Sequence, residues 1–397
     1  MPGPSRSAAV LFLRLLLLGA SIFTIAPIHA IGMRQDVPES IYLDLANNAG
    51  EFTVGKFPDF LAVAAIGLID KDGEFEVIGS GTLIAPEWVL TAAHVVLSGK
   101  RGQDFEANME VRFGPSASSP RSRHPVSGVA TPLAPRELRP LLRSGPRVSE
   151  SDVIHAEFHD LALLRLTAPV TGIVPALLDE TGEPLSGRPL YIAGFGDAAT
   201  GNNTKSRTWT PADRKRAAEN MVDREIQRNP YNPNTIGGIL LFDFDNGTQD
   251  RNSLNRRSKS WDHLFGDGQS SPEPLRLEGA SYPGDSGGPA FVKSAKGAWC
   301  VVGVSGYGTG FPPDRRRTSI QFGDILVYTR VWPHLAWVRQ QIAPPPPTKP
   351  SAIVSPAGPA AEVGAPETSA PVTATATPAP PEEPSAIFRT SVPATSN

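Results

Sequence analysis

From about Phe57 to Ile342 the chain alternates short apolar segments with turns rich in Gly, Pro, Asp and Asn. This spacing is typical of an all-β sandwich or barrel and unlike alternating β and α units. The segments that predict strands are Leu61–Ile69, Glu76–Ile84, Asp160–Leu166, Pro189–Gly194, Ala290–Val292, Trp299–Val304 and Ile325–Val331. Helical patterns are confined to Thr91–Leu97 and a terminal segment, Trp332–Ile342.

The two ends of the chain differ from this central part. Residues 1–30 predict a signal peptide, with Arg6, an apolar run at Leu15–Ile28 and a small residue, Ala30, at the cleavage point. Arg14 shortens the apolar stretch, which favours a cleaved signal over a spanning anchor and predicts a secreted or periplasmic protein without stable membrane insertion. Residues 344–397 are rich in Pro, Ala and Thr and predict a disordered tail.

The remaining residues, 31–343, are enough for one large β domain. Two polar stretches without periodicity, at about 115–151 and 199–279, are interpreted as surface insertions. The net charge of −3 gives no reason to expect nucleic acid as a partner. The single cysteine, Cys300, excludes an intrachain disulfide; it is interpreted as a small buried strand residue, with a reactive thiol as the alternative.

One serine lies in an unusually glycine-rich segment, Tyr282-Pro283-Gly284-Asp285-Ser286-Gly287-Gly288-Pro289-Ala290. Glycines permit positive φ and let a substrate backbone approach closely. A turn of this kind can direct the N–H groups of Gly284 and Ser286 at one point, which is how an oxyanion is stabilised. Ser286 is therefore a candidate nucleophile.

Two further segments offer partners for this serine. Small residues precede His94 in Thr91-Ala92-Ala93-His94, which leaves room for the imidazole. Asp160 stands at the head of the apolar segment Asp160–Leu166, where a partly buried acid needs a partner such as an imidazole N–H.

These three segments resemble the signatures of the chymotrypsin/trypsin family of serine proteases, in the family's order His, Asp, Ser. The resemblance runs from about Phe57 to Ile342, and it implies two six-stranded antiparallel Greek-key barrels followed by a C-terminal helix. It also implies that Ser286 is the nucleophile, His94 the general base and Asp160 the residue that orients His94, with Gly284 and Ser286 as the oxyanion hole. We therefore expect a monomeric endopeptidase that acts on proteins or peptides and needs no metal or organic cofactor. Asp243–Asn246 lacks the spacing of a calcium loop and is interpreted as a polar turn.

The resemblance also assigns residues around the triad. Ala280 takes the base of the primary specificity pocket, and Gly308 and Leu326 take its walls, which predicts cleavage after small or medium apolar residues. The family's serine beside the catalytic aspartate corresponds either to Ser305 or to Gly306. Cleavage after Ala30 would free an amino group on Ile31, which the family pairs with the aspartate before the serine, here Asp285.

Two other interpretations remain. Gly284–Gly288 also fits the G-x-S-x-G elbow of serine esterases and lipases, with Asp324 and His334 as partners downstream. The elbow must open a helix, however, and Pro289–Val292 predicts a strand. A catalytically inactive relative that serves as a binding module is the other alternative.

Overall fold

A computed structural model describes residues 31–97, 108–142, 150–201, 212–232, 234–235, 237–255, 267–309 and 321–343. The strands are β1 (Gly32–Met33), β2 (Val63–Ile69), β3 (Phe75–Ala85), β4 (Trp88–Thr91), β5 (Met109–Phe113), β6 (Ser122–Ala130), β7 (Ala162–Leu166), β8 (Leu177–Leu178), β9 (Pro189–Gly194), β10 (Ala199–Thr200), β11 (Arg216–Met221), β12 (Arg224–Ile226), β13 (Ile239–Asp243), β14 (Asp267–Gly268), β15 (Gly279–Ala280), β16 (Pro289–Lys293), β17 (Trp299–Thr309) and β18 (Ile325–Arg330). The helices are α1 (Glu39–Ala46), α2 (Ala93–Leu97), α3 (Pro135–Leu142), α4 (Glu150–Glu157) and α5 (Leu335–Ile342), with 3₁₀ turns at Phe60–Ala62 and Trp332–His334. The predicted signal peptide and tail lie outside the described residues.

The first half of the molecule is a closed barrel of six strands in the order β2-β3-β4-β7-β6-β5. Its inward side chains, among them Ile66, Val111 and Leu163, are fully buried. All of its strand pairs are antiparallel. Closure leaves no unpaired strand edge in this half.

The second half is a sheet in the order β11-β9-β16-β17-β18-β13-β12-β14, with β8 paired to β17. The Asn220 side chain on β11 donates to the backbone carbonyls of Asp243, at 3.0 Å, and Gly279, at 2.9 Å. These bonds connect β11, at one edge of the sheet, to β13 and to β15. The connection is made by a side chain, not by hydrogen bonds between strand backbones. The predicted all-β, trypsin-like fold with a C-terminal helix is confirmed, with one closed barrel and one barrel-like sheet.

The interpretation of 199–279 as a surface insertion is wrong, because this stretch contains four strands of the second half. Of these, β11 pairs with β9 and β13 lies between β18 and β12. Arg216–Met221 contains residues that favour helices, yet it pairs with β9 along its whole length. Its charged residues suggested a solvent-exposed segment. Arg216 is nevertheless fully buried, and its guanidinium donates to the carboxylate of Glu39 on α1. Asp243 is likewise a buried strand residue rather than part of a polar turn.

The interpretation of 115–151 needs a similar correction. Ser122–Ala130 forms β6, which lies between β5 and β7 in the barrel. Pro125 and Gly128 weaken its sequence signal, and the pairing with β7 is irregular between Val126 and Gly128.

Within the described ranges, no helix is both long and apolar enough to cross a membrane.

Candidate active site

Ser286 lies in a turn whose backbone conformation depends on its glycines. Gly284 has a φ of +96°, and the N–H of Asp285 donates to the carbonyl of Tyr282 at 2.9 Å. With Pro283 and Gly284 as the central residues, this is the pattern of a type II turn. A type II turn differs from type I by rotation of the central peptide, so the glycine determines which way the Gly284 N–H faces.

Ser80 on β3 connects this turn to both halves of the molecule. Its hydroxyl donates to the carbonyl of Gly284 at 3.0 Å and accepts from the N–H of Phe195 at 2.9 Å. Its own N–H donates to the carbonyl of Ser286 at 2.8 Å. Ser80 is fully buried, and the motif alone does not reveal its role. The available signal is a hydroxyl residue between two glycines, Gly79 and Gly81, in a mostly apolar strand.

His94 and Asp160 are directly bonded. Nδ1 of His94 lies 2.7 Å from Oδ2 of Asp160, and the backbone N–H of His94 donates to Oδ1 at 2.8 Å. Asp160 is buried, whereas a quarter of the His94 side chain is exposed. Burial lowers the pKa of His94, but the charge of Asp160 and its hydrogen bond outweigh this and leave the pKa raised.

The segment before Asp160 is anchored by the second half of the molecule. The hydroxyl of Thr329 donates to the carbonyl of Glu157 at 2.8 Å. Nε2 of His334 lies 2.7 Å from the carbonyl of Phe158. The position of Asp160, which precedes a strand of the first barrel, therefore depends on contacts with both halves.

The serine turn packs against the strand end that leads to His94. A Cβ atom on Gly287 would lie 2.0 Å from Oγ1 of Thr91 and 3.0 Å from the backbone N of Ala92. Only a glycine fits at this position. Thr91 and Ala92, which it contacts, precede His94 by three and two residues. The structure thus brings the segments of all three candidate residues together.

Two of the three pocket candidates lie on neighbouring strands, since Gly308 on β17 pairs with Leu326 on β18. Ala280 lies on β15, in a three-stranded sheet with β1 and β10, and both Ala280 and Leu326 are buried. The hydroxyl of Tyr328 is hydrogen-bonded to the side chains of Ser281 and Ser305. Sequence reasoning missed Ser281, although it directly follows the predicted pocket base.

The alternative between Ser305 and Gly306 is resolved by a bulge. The register of β17 against β18 shifts between Ser305 and Tyr307, and Ser305 pairs with Tyr328. A Cβ atom on Gly306 would lie 3.6 Å from Oδ2 of Asp160. The residue beside the aspartate is therefore Gly306, which carries no hydroxyl.

The candidates for an activation pair, Ile31 and Asp285, are both buried. Ile31 is fully buried, and the adjoining β1 lies between β10 and β15. The Asp285 carboxyl accepts from the N–H groups of Gly196, at 3.1 Å, and Tyr282, at 3.0 Å. Burial raises the pKa of Asp285 to about 7, against the smaller opposing effects of these bonds and of the Arg216 charge.

The esterase elbow does not fit this geometry. Strand β16, not a helix, follows Ser286, and His334 is buried against Phe158.

Cys300 is half-buried on β17, where burial raises the pKa of its thiol. Among the residues that the structure describes, no three His, Cys, Asp or Glu side chains are grouped as metal ligands.

Comparison with known proteins agrees with this architecture. The trypsin-like peptidase domain family matches residues 79–304, more than half of the chain. The chain is also similar to phenoloxidase-activating enzyme 1 of Spodoptera litura, with 24% identity over 297 residues that cover 73% of this chain. It spans 66% of the length of that relative.

We predict that Asp160→Asn lowers the pKa of His94, because the substitution removes the charge that opposes the effect of burial. The pKa can be followed by NMR titration of the imidazole in both proteins. Asp44→Asn, at an exposed position on α1, is the control and should leave the titration unchanged. An unchanged or raised pKa in Asp160→Asn would contradict the electrostatic coupling described above.

Proposed function

Because the chain belongs to the trypsin-like peptidase family, we propose that it is a serine endopeptidase with Ser286, His94 and Asp160 as its catalytic triad. The observation that carries this proposal is the pair of hydrogen bonds between Asp160 and His94. The packing of Gly287 against Thr91 and Ala92 adds support, since it brings the serine turn close to this pair.

The chemistry follows from these positions. Ser286 Oγ attacks the scissile carbonyl while Nε2 of His94 takes its proton, and the proton then passes to the leaving amine. Asp160 holds Nδ1 of His94, which fixes the tautomer and stabilises the imidazolium. The backbone N–H groups of Gly284 and Ser286 stabilise the oxyanion, and the type II turn at Gly284 supports this role. Water then hydrolyses the acyl-enzyme.

The N-terminal signature supports action outside the cytoplasm, in a secreted or periplasmic location, on protein or peptide substrates. Both location and substrate class are part of the proposal. Export of a fusion to residues 1–30 would test the location.

Substitution of the nucleophile tests the mechanism. We predict that a phosphonylating serine probe labels the wild-type protein but neither Ser286→Ala nor His94→Ala, because the probe needs both nucleophile and base. Peptide hydrolysis should fall by about 10⁵–10⁶-fold in Ser286→Ala. Ser127→Ala, an exposed serine on β6, is the matched control and should label normally.

Each alternative gives its own outcome in this experiment. A binding module would show neither labelling nor hydrolysis in the wild type. An esterase would hydrolyse esters and leave peptides intact. Activity that survives Ser286→Ala would exclude this serine as the nucleophile.

We further propose that the pocket accepts small or medium apolar side chains. Its base, Ala280, carries no charge to bind Arg or Lys, and Leu326 occupies wall volume. The hydroxyl of Tyr328 is hydrogen-bonded to Ser281 and to Ser305, and none of these three side chains carries a charge that would favour Arg or Lys.

We predict that peptides with Ala or Val at the cleavage position have a kcat/KM at least about tenfold above those with Arg or Lys. Leu326→Gly should widen the pocket and improve cleavage after Phe, while Leu178→Ala, on β8 outside the pocket candidates, serves as control. A wild-type preference for Arg or Lys would overturn the pocket assignment.

The final part of the proposal concerns activation. Cleavage after Ala30 would free the α-amino group of Ile31, which is already buried beside β15. Asp285, whose described hydrogen bonds come from backbone N–H groups, would then gain a cation, which opposes the effect of burial on its pKa.

We predict that the active species begins at Ile31 and that Asp285→Asn reduces its activity, because the substituted residue cannot form the ion pair. N-terminal sequencing of the labelled protein checks the first point. Asp197→Asn is the control for a nearby buried acid. An active species that begins at another residue would end this part of the proposal.

A further inference from the structure

A buried carboxyl group lies three residues before Asp160. Glu157, the last residue of α4, is 9% exposed. Its Oε2 is enclosed and has no hydrogen-bond partner among the described residues. A buried carboxylate oxygen without a donor is costly, so the arrangement calls for a physical explanation.

The space above Gly306 connects Glu157 with Asp160. A Cβ atom on Gly306 would lie 3.0 Å from Oε2 of Glu157 and 3.6 Å from Oδ2 of Asp160. Gly306 itself contributes no polar side chain, and Ser305 is bonded to Tyr328 instead. The two carboxyl groups therefore border one small volume, together with the backbone carbonyl of Val327, which would lie 3.2 Å from the same Cβ position.

The surroundings of the two carboxyl groups differ. Asp160 accepts from the backbone N–H of His94 and contacts its Nδ1, whereas no described donor reaches Oε2 of Glu157. Burial, and then the charge of Asp160, raises the pKa of Glu157 well above its ordinary value. A buried carboxyl group beside a second carboxylate favours its neutral, protonated form.

The other titratable groups around this segment are His155, His159 and His334. Burial lowers the pKa of His159, and burial lowers that of His334 to about 4. Both rings are consequently neutral near pH 7 and supply no charge that would ionise Glu157. His159 and His334 instead contact the backbone carbonyls of His155 and Phe158.

We propose that Glu157 is a positioning residue that remains protonated and donates its carboxyl proton to Asp160 across the space above Gly306. This donation satisfies the enclosed oxygen of Glu157 and fixes the carboxylate that holds the His94 ring. The inference rests on the proposed function, because the orientation of Asp160 affects a reaction only if His94 acts as its base.

Infrared spectroscopy tests the protonation state without any need for catalysis. The difference spectrum between wild type and Glu157→Gln at pH 7 should contain the carbonyl stretch of a protonated carboxylic acid. Glu180→Gln, at an acid paired with Arg339 on the surface, should show only the loss of carboxylate bands. A carboxylate band in the Glu157 difference spectrum would overturn the proposal.

Kinetics test the positioning role. We predict that Glu157→Ala lowers kcat about tenfold with little change in KM, while Glu157→Gln, whose amide still donates, retains most of the activity. Gly306→Ser should restore activity in the Glu157→Ala background, because its hydroxyl would reach Oδ2 of Asp160 from the Cβ position 3.6 Å away. In the wild-type background, a Cβ atom at position 306 would lie 3.0 Å from Oε2 of Glu157, so Gly306→Ser should not increase activity there.

The outcomes separate this inference from the proposed function. Full activity in Glu157→Ala, or a failure of Gly306→Ser to restore it in a protein with an unchanged melting temperature, would overturn the positioning role. If Glu157→Ala does not fold, the infrared spectrum still tests whether Glu157 is protonated, and the kinetics of Glu157→Gln still test its positioning role. Activity that survives Ser286→Ala would overturn the proposed function, whereas the infrared result is independent of it.

Discussion

The junction of the serine turn with Ser80 is the contact on which the site depends. Through its hydroxyl, N–H and carbonyl, this buried residue bonds Gly284, Phe195, Ser286 and Thr91. Since Ser80 belongs to the closed barrel and Ser286 to the other half, these bonds fix the distance between the parts that carry His94 and Ser286. Gly287 strengthens the constraint, because any side chain there would collide with Thr91.

Buried polar contacts, rather than charges at the surface, hold the segments around the site in place. Asp160 is hydrogen-bonded to His94, Asp285 accepts from the backbone N–H of Gly196, and Arg216 is paired with Glu39. Each of these contacts joins segments that are distant in the chain. Glu157 differs because no described donor reaches its Oε2. Burying an ionised carboxylate without a partner is costly, and a proton kept on Glu157 avoids this cost.

Motif-bearing segments were predictable from sequence because their residues meet local requirements. Pro283 and Gly284 specify their turn, and the apolar segment that follows Asp160 specifies β7. The errors arose at Arg216–Met221 and Ser122–Ala130, where helix-favouring, charged or Pro-containing sequences form strands. Their strand conformation comes from pairing partners and from buried ion pairs, which local propensity cannot register.

The fold class, the family resemblance and the candidates His94, Asp160 and Ser286 could be predicted from the amino-acid sequence, because short apolar segments and glycine-rich motifs are local properties. Tertiary structure alone decided that Gly306, not Ser305, lies beside Asp160, since this depends on a bulge in the pairing of β17 with β18. It also decided that Ser80 links the two halves and that Glu157 is enclosed next to the site. Both are consequences of packing between distant strands, where burial changes the energy of a polar group that looks ordinary in the sequence.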